Sequence, residues 1–175
     1  MAVIFDIYKE AVYEEVAQTS SYTGAKMEND ENAYDRIFTT DEDRSQLERF
    51  WNESCVTFCE VMKRYLVADE ALHQSISDVV LPERSVAAGD IILRPALNPV
   101  TGHRFEMEFS RSFDEALLPS MRQELFSFFV MNITSKWYGF TNKKETTEYA
   151  AAAASLLEGM HRKACYKRKP QRPTY

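Results

Sequence analysis

Two Glu-x-x-His pairs carry the side chains best suited to chemistry: Glu70-Ala71-Leu72-His73 and Glu158-Gly159-Met160-His161. Residues three apart on a helix share a face, so each pair can offer a carboxylate and an imidazole to one metal ion. Two such helices, plus one Glu from each of two others, build the di-iron site of four-helix bundles. Glu14 or Glu15, and Glu124, are available for those other positions. Helical phase opposes the set. His73 follows the apolar stripe of its own helix, but Glu158 lies two residues beyond Leu156, about 200° around the helix. Gly159 weakens the helix at that point. The expectation is two solvent-facing pairs, no metal site and no cofactor. A di-iron-type helical enzyme is the alternative.

The thiols lead to a similar reading. Cys55 and Cys59 are one helical turn apart, but no second Cys or His pair at zinc spacing accompanies them. Cys55 falls on an apolar stripe, so packing explains it. His161 and Cys165 are also four apart, with Arg162 and Lys163 beside them, surroundings that lower a thiol pKa. No orienting third group accompanies them, so no catalytic dyad is expected. Three cysteines in an ordinary composition read as free thiols in a reducing compartment. Five scattered glycines supply no phosphate-cradling loop, and no serine sits on a strand-to-helix elbow. Hence no catalytic residue is expected and the chain is not read as an enzyme.

Charge is distributed unevenly. Residues 1–60 hold fourteen acidic and five basic side chains, whereas residues 159–175 hold six basic and no acidic ones, within a net charge of −6. The six are Arg162, Lys163, Lys167, Arg168, Lys169 and Arg172. Such a run can bind a nucleic-acid backbone, an anionic membrane or an acidic protein surface. An acidic body disfavours the first, and no amphipathic anchor adjoins the run for the second. A protein partner is therefore preferred, with Tyr166 and Tyr175 as aromatic anchors. One subunit's cationic tail reaching an acidic face of the next is a head-to-tail contact, which closes into rings or grows into filaments.

The elements that position these residues read as mainly helical. A chain of 175 residues with 45% apolar and 13% aromatic side chains suits one domain, and five glycines with six prolines argue against a turn-rich β-sandwich. No apolar run reaches membrane-spanning length, and Met1–Asp6 lacks the basic start of a secretory signal. Helix one is expected from Val3 to about Gln18, with Ile4, Tyr8, Ala11 or Val12, and Val16 on one face, then a loop over 19–24. Residues 25–39 are acidic and weakly patterned, with a short helix near Tyr34, Ile37 and Phe38 as one reading. Helix two is expected after a Thr40 cap, on a stripe of Leu47, Trp51, Cys55, Phe58, Met62 and Leu66, running to about Ser77. Asp90–Arg94 and the alternating Arg104–Phe109 predict a β-hairpin at about 90–110. Helix three is expected from Leu118 to Tyr138, with Pro119 in its first turn and Gly139 as a left-handed cap. Helix four is expected from Asn142 to about Tyr166, on a stripe of Tyr149, Ala153, Leu156, Met160 and Ala164. The fold class is thus a bundle of about four helices with an inserted hairpin. Residues 1–166 form one domain, and 167–175 an extended basic docking tail.

This layout resembles a known family. The stretch carrying the likeness is roughly 40–172: helix two, the hairpin, an apolar helix ending in Lys136-Trp137-Tyr138, then Thr141-Asn142-Lys143, an Ala-rich helix with Tyr149, and a closing Tyr166-Lys167-Arg168-Lys169-Pro170-Gln171-Arg172. It is similar to the head–tail connector, or neck adaptor, proteins of tailed bacteriophages. The resemblance implies a virion structural protein, made in the bacterial cytoplasm, that forms a homo-oligomeric ring beneath the portal. Its implied partners are the portal protein and other neck or tail proteins, with DNA only passing through an acidic channel; a tail-completion protein is a further reading. Docking is expected through Arg162, Lys163, Tyr166, Lys167, Arg168, Lys169 and Arg172. The hairpin residues Phe105, Met107 and Phe109 are expected to touch a neighbour.

Overall fold

The structure is a computed structural model that describes residues 1–26, 37–67, 79–80 and 101–167. In chain order it contains β1 (Ala2–Tyr8), α1 (Lys9–Lys26), a 3-10 turn (Asp41–Asp43), α2 (Arg44–Met62), β2 (Val79–Val80), β3 (Thr101–Glu108), a second 3-10 turn (Glu115–Leu117), α3 (Leu118–Thr141) and α4 (Lys143–Ala164). The chain is mainly helical, and the sheet runs β1-β3-β2 with both pairings antiparallel. β2 and β3 follow one another and pair Val80 with Thr101, which is the inserted hairpin. Asp90–Arg94, expected as one of its strands, lies outside the described residues, as do Tyr34, Glu70, His73, Arg168, Lys169 and Arg172.

α3 is the centre of the bundle. Its apolar side chains point nearly all round, so it can bury several faces at once. It packs against α1, α2 and α4, and Met121, Leu125, Phe128, Phe129, Ile133 and Tyr138 are buried. Pro119 sits in the first turn, where a missing N–H costs nothing. α2 lays the expected Leu47, Trp51, Cys55, Phe58 and Met62 against it, and Trp51 packs 4.8 Å from Phe129 between ring centroids. Polar links add register: Asn132 Nδ2 donates to Ser54 Oγ at 2.8 Å, and Lys136 Nζ reaches Glu53 at 2.7 Å. The buried stripe of α4 uses Leu157 rather than Leu156, together with Ala153, Met160 and Ala164.

Five expectations require correction. Residues 2–8 form a strand, because Val3, Phe5 and Ile7 alternate inward and find partners Met107, Phe105 and His103 on β3. The helical reading used Ile4 and Tyr8, and Ile4 is 45% exposed. Residues 19–24 continue α1 instead of forming a loop. Ser20, buried in this stretch, is satisfied within the fold: its Oγ donates to the Ala17 carbonyl and accepts from Thr39 N. α2 stops at Met62, well short of Ser77, because the chain turns to lie along β3: Val67 N donates to Glu106 O, and Glu108 N to Tyr65 O. Thr40 also does not cap it directly; a 3-10 turn intervenes, in which Asp43 accepts from Thr40 N and Oγ1.

Gly139 is the fifth. α3 runs through it to Thr141, and the break comes at Asn142, whose φ is −146° and whose N–H donates to Tyr138 O. A Cβ at Gly139 would meet nothing within 4 Å. Gly139→Ala is therefore expected to stabilise the fold by about 0.5–1 kcal/mol, as glycine is a poor helix former. Urea unfolding measures this, and a destabilised variant would contradict the helical assignment.

Candidate functional site

The C-terminal end of α4 carries the described residues of the expected docking set, and its basic residues divide by geometry. Lys163 is structural. Its Nζ lies 2.6 Å from Glu124 Oε1 and 2.5 Å from Ser120 Oγ on α3, tying the two helices together at this end. Glu124 reaches α4 because Gly159 leaves room: a Cβ there would lie 3.3 Å from Glu124 Oε1. Arg162 instead pairs along its own helix with Glu158 at 2.5 Å, both exposed. Basic side chains in this last turn also suit the negative end of the helix.

Between Ala164 and Lys167 the chain is held by two contacts. Tyr65 Oη and Cys165 Sγ are 2.8 Å apart, and Lys167 forms an isolated antiparallel bridge with Phe113. Burial, then the Cys165 hydrogen bond, pushes the Tyr65 phenol above its ordinary value. Tyr166 is 49% exposed and Lys167 is exposed, so the described part of the arm points aromatic and cationic groups outward.

A second feature lies at the other end of α2. A hollow of about 560 Å³ opens between α1 and the start of α2, lined by Glu10, Tyr13, Glu14, Phe38, Arg44 and Leu47 among others. Glu10 is paired with Arg44. Glu14 and its neighbour Glu15 are exposed. With Glu10 engaged by Arg44, the lining keeps an excess of one carboxylate, that of Glu14, over an apolar floor of Tyr13, Phe38 and Leu47. From Leu47 at the hollow to Met62 near the arm is about 23 Å along the helix.

Of the metal reading, Glu70 and His73 lie outside the described residues, and the other members have different partners. Glu158 is 62% exposed and engaged with Arg162. Glu124 is taken by Lys163, and His161 stands edge-on to the Tyr65 ring at 5.9 Å between centroids. Among the described residues, no three His, Cys, Asp or Glu side chains group as metal ligands. The expected role of Phe105, Met107 and Phe109 is corrected. At 2%, 0% and 3% exposure they are filled by the chain's own helices, so they have no surface to offer a neighbour. Glu124 as the partner of Lys163, Tyr65 beside Cys165, and the acidic hollow were not foreseen. Each joins residues far apart in sequence, and only the fold brings them together.

No family model, curated protein or solved structure matches the chain.

Two measurements follow from these contacts. Lys163→Met leaves a half-buried Glu124 unpaired and is expected to cost about 1–2 kcal/mol, whereas Arg162→Ala should change stability by no more than about 0.5 kcal/mol. Equal effects would contradict the division. Burial also raises the Cys59 thiol from 9.0 to about 11. The unfolded thiol ionises first, so this contribution to stability is complete below pH 9 and lost as pH rises towards 11. Tyr138, likewise raised by burial, adds loss above pH 10. Cys59→Ala should flatten the lower part of that fall in a pH series of unfolding curves.

Proposed function

We propose that this chain is a structural subunit that assembles head to tail, its cationic C-terminal arm docking on an acidic surface of the next subunit, as in the ring of a bacteriophage neck. The observation that carries the reading is the placement of unlike surfaces at opposite ends of α2. Cys165 and Lys167, at the base of the arm, lie beside Tyr65 and Phe113, and the hollow lies at Glu10, Glu14 and Leu47. Unlike patches at two ends of one molecule make a heterologous contact, which propagates from copy to copy and closes when the rotation permits. The chemistry is complementary. Lysine and arginine side chains meet the exposed carboxylates of Glu14 and the neighbouring Glu15, while a tyrosine fits an apolar floor.

The likeness of residues 40–172 to neck adaptors gives the assembly a biological setting. In that setting the arm contacts either the adjoining subunit or the portal, and the acidic body surrounds a DNA channel. An acidic wall repels phosphate and lets DNA pass without binding. Arg162, Tyr166, Lys167, Arg168, Lys169 and Arg172 carry the docking, and Lys163 holds the base of the arm to α3.

A chain ending at Lys167 keeps every described contact of the arm, including the Phe113 bridge. It is expected to fold with an unchanged unfolding midpoint and to lose head-to-tail oligomers larger than a dimer in native mass measurements, alone and with a portal protein. Assembly equal to that of the full chain would refute the proposal.

A further inference from the structure

The outer side of β1 offers a second contact, carried by backbone geometry instead of charge. β1 ends the sheet, and among the described residues no strand pairs with its other side. The register identifies the groups on that side. Met1 and Phe109 exchange two hydrogen bonds, N to O at 2.7 Å and O to N at 2.8 Å. Bonded and non-bonded pairs alternate in an antiparallel ladder, so the odd-numbered residues of β1 bond to β3. Ala2, Ile4 and Asp6 therefore turn their N–H and C=O groups away from β3. Two independent contacts agree. Arg122 Nη2 reaches the Ile4 carbonyl at 3.4 Å from the open side. On β3, the opposing Glu106 and Glu108 bond away from β1, to Val67 and Tyr65.

We propose that this edge pairs with β1 of a second copy, antiparallel about a two-fold axis at Ile4. The devices that usually block edge pairing are missing. β1 contains no proline and no lysine, and its one charge, Asp6, is neutralised by Arg104 through bonds of 2.7 and 2.9 Å. Space exists beside the strand, since a hollow of about 590 Å³ runs along it between Ile4, Asp6 and Ile7 on one side and Pro119, Arg122 and Phe126 of α3 on the other. The choice of a second copy follows from self-complementarity. Centring the axis on Ile4 pairs Ala2 with Asp6 of the other copy on each side. It uses all three outward residues, opposes no like charges, and covers each exposed Ile4 with the other. Shifting the axis to Asp6 would set two carboxylates face to face. Arg122 acts as a latch on the free edge, bonded to the carbonyl that the second strand would use. This contact is independent of the arm. A two-fold contact combined with a head-to-tail one yields two rings facing each other.

Sedimentation equilibrium of the full chain in ~1 M salt separates the two contacts, because such salt screens the arm's charges but not backbone pairing. Wild type is expected to form dimers of the 20.3 kDa chain. Ile4→Pro removes an outward N–H and the Ile4 side chain while leaving the ladder bonds to β3 in place, and is expected to weaken dimerisation about 100-fold, chiefly through two lost central bonds. Arg122→Ala, at an exposed helical position, should release the edge and tighten it. A wild type that stays monomeric in high salt, or an Ile4→Pro chain that dimerises as wild type does, would overturn the proposal. Should Ile4→Pro fail to fold, an Arg122→Ala chain no tighter than wild type would overturn it.

Discussion

The packing of β3 beneath the helices is the constraint on which the rest of the molecule depends. Phe105 lies 4.4 Å from Phe58 of α2 and 6.2 Å from Phe129 of α3, between ring centroids, and Met107 is fully buried beside it. Two strands are marginal in water unless one face is covered. Here the helices cover it, and β3 in turn organises both of its flanks. On one side it holds β1 from Ala2 to Tyr8, and on the other it draws Tyr65–Val67 off the end of α2. It thereby ties the N-terminus, the middle of the chain and the start of α3 into one body, and sets where α1 and the C-terminal arm emerge.

The helices were legible where burial is one-sided. The stripe from Leu47 to Met62 and the all-round apolarity of 125–131 have one natural reading each, and the structure follows both. The N-terminal seven residues failed because Val3, Ile4, Phe5 and Ile7 satisfy helical and strand spacing at once. Only the pairing partner on β3, a hundred residues away, decides between them. Residues 19–24 failed for the opposite reason: their polar side chains signalled a loop, yet Ser20 is buried and bonded within the fold. Gly139 was read as punctuation, but open space around it lets a helix run on.

The site was legible in charge and opaque in geometry. Counting basic residues marks the arm, but it cannot separate Lys163, which binds Glu124, from Arg162, which faces solvent. Alternation correctly marked Phe105, Met107 and Phe109 as one face, and could not say whose core that face fills. The acidic hollow draws on α1 and on residues 38–47, stretches with no sequence relation to each other.

Assembly is consistent with these facts because the unlike surfaces stand apart on a rigid helix. Residues 168–175, fully extended, span about 28 Å, a length that serves either their own body or a neighbour. Carbodiimide coupling of lysines to carboxylates, on a mixture of isotopically heavy and light chains, distinguishes the two. The account predicts mixed heavy–light products joining Lys167 or Lys169 to Glu10, Glu14 or Glu15. Products joining those residues only within a single chain would contradict it.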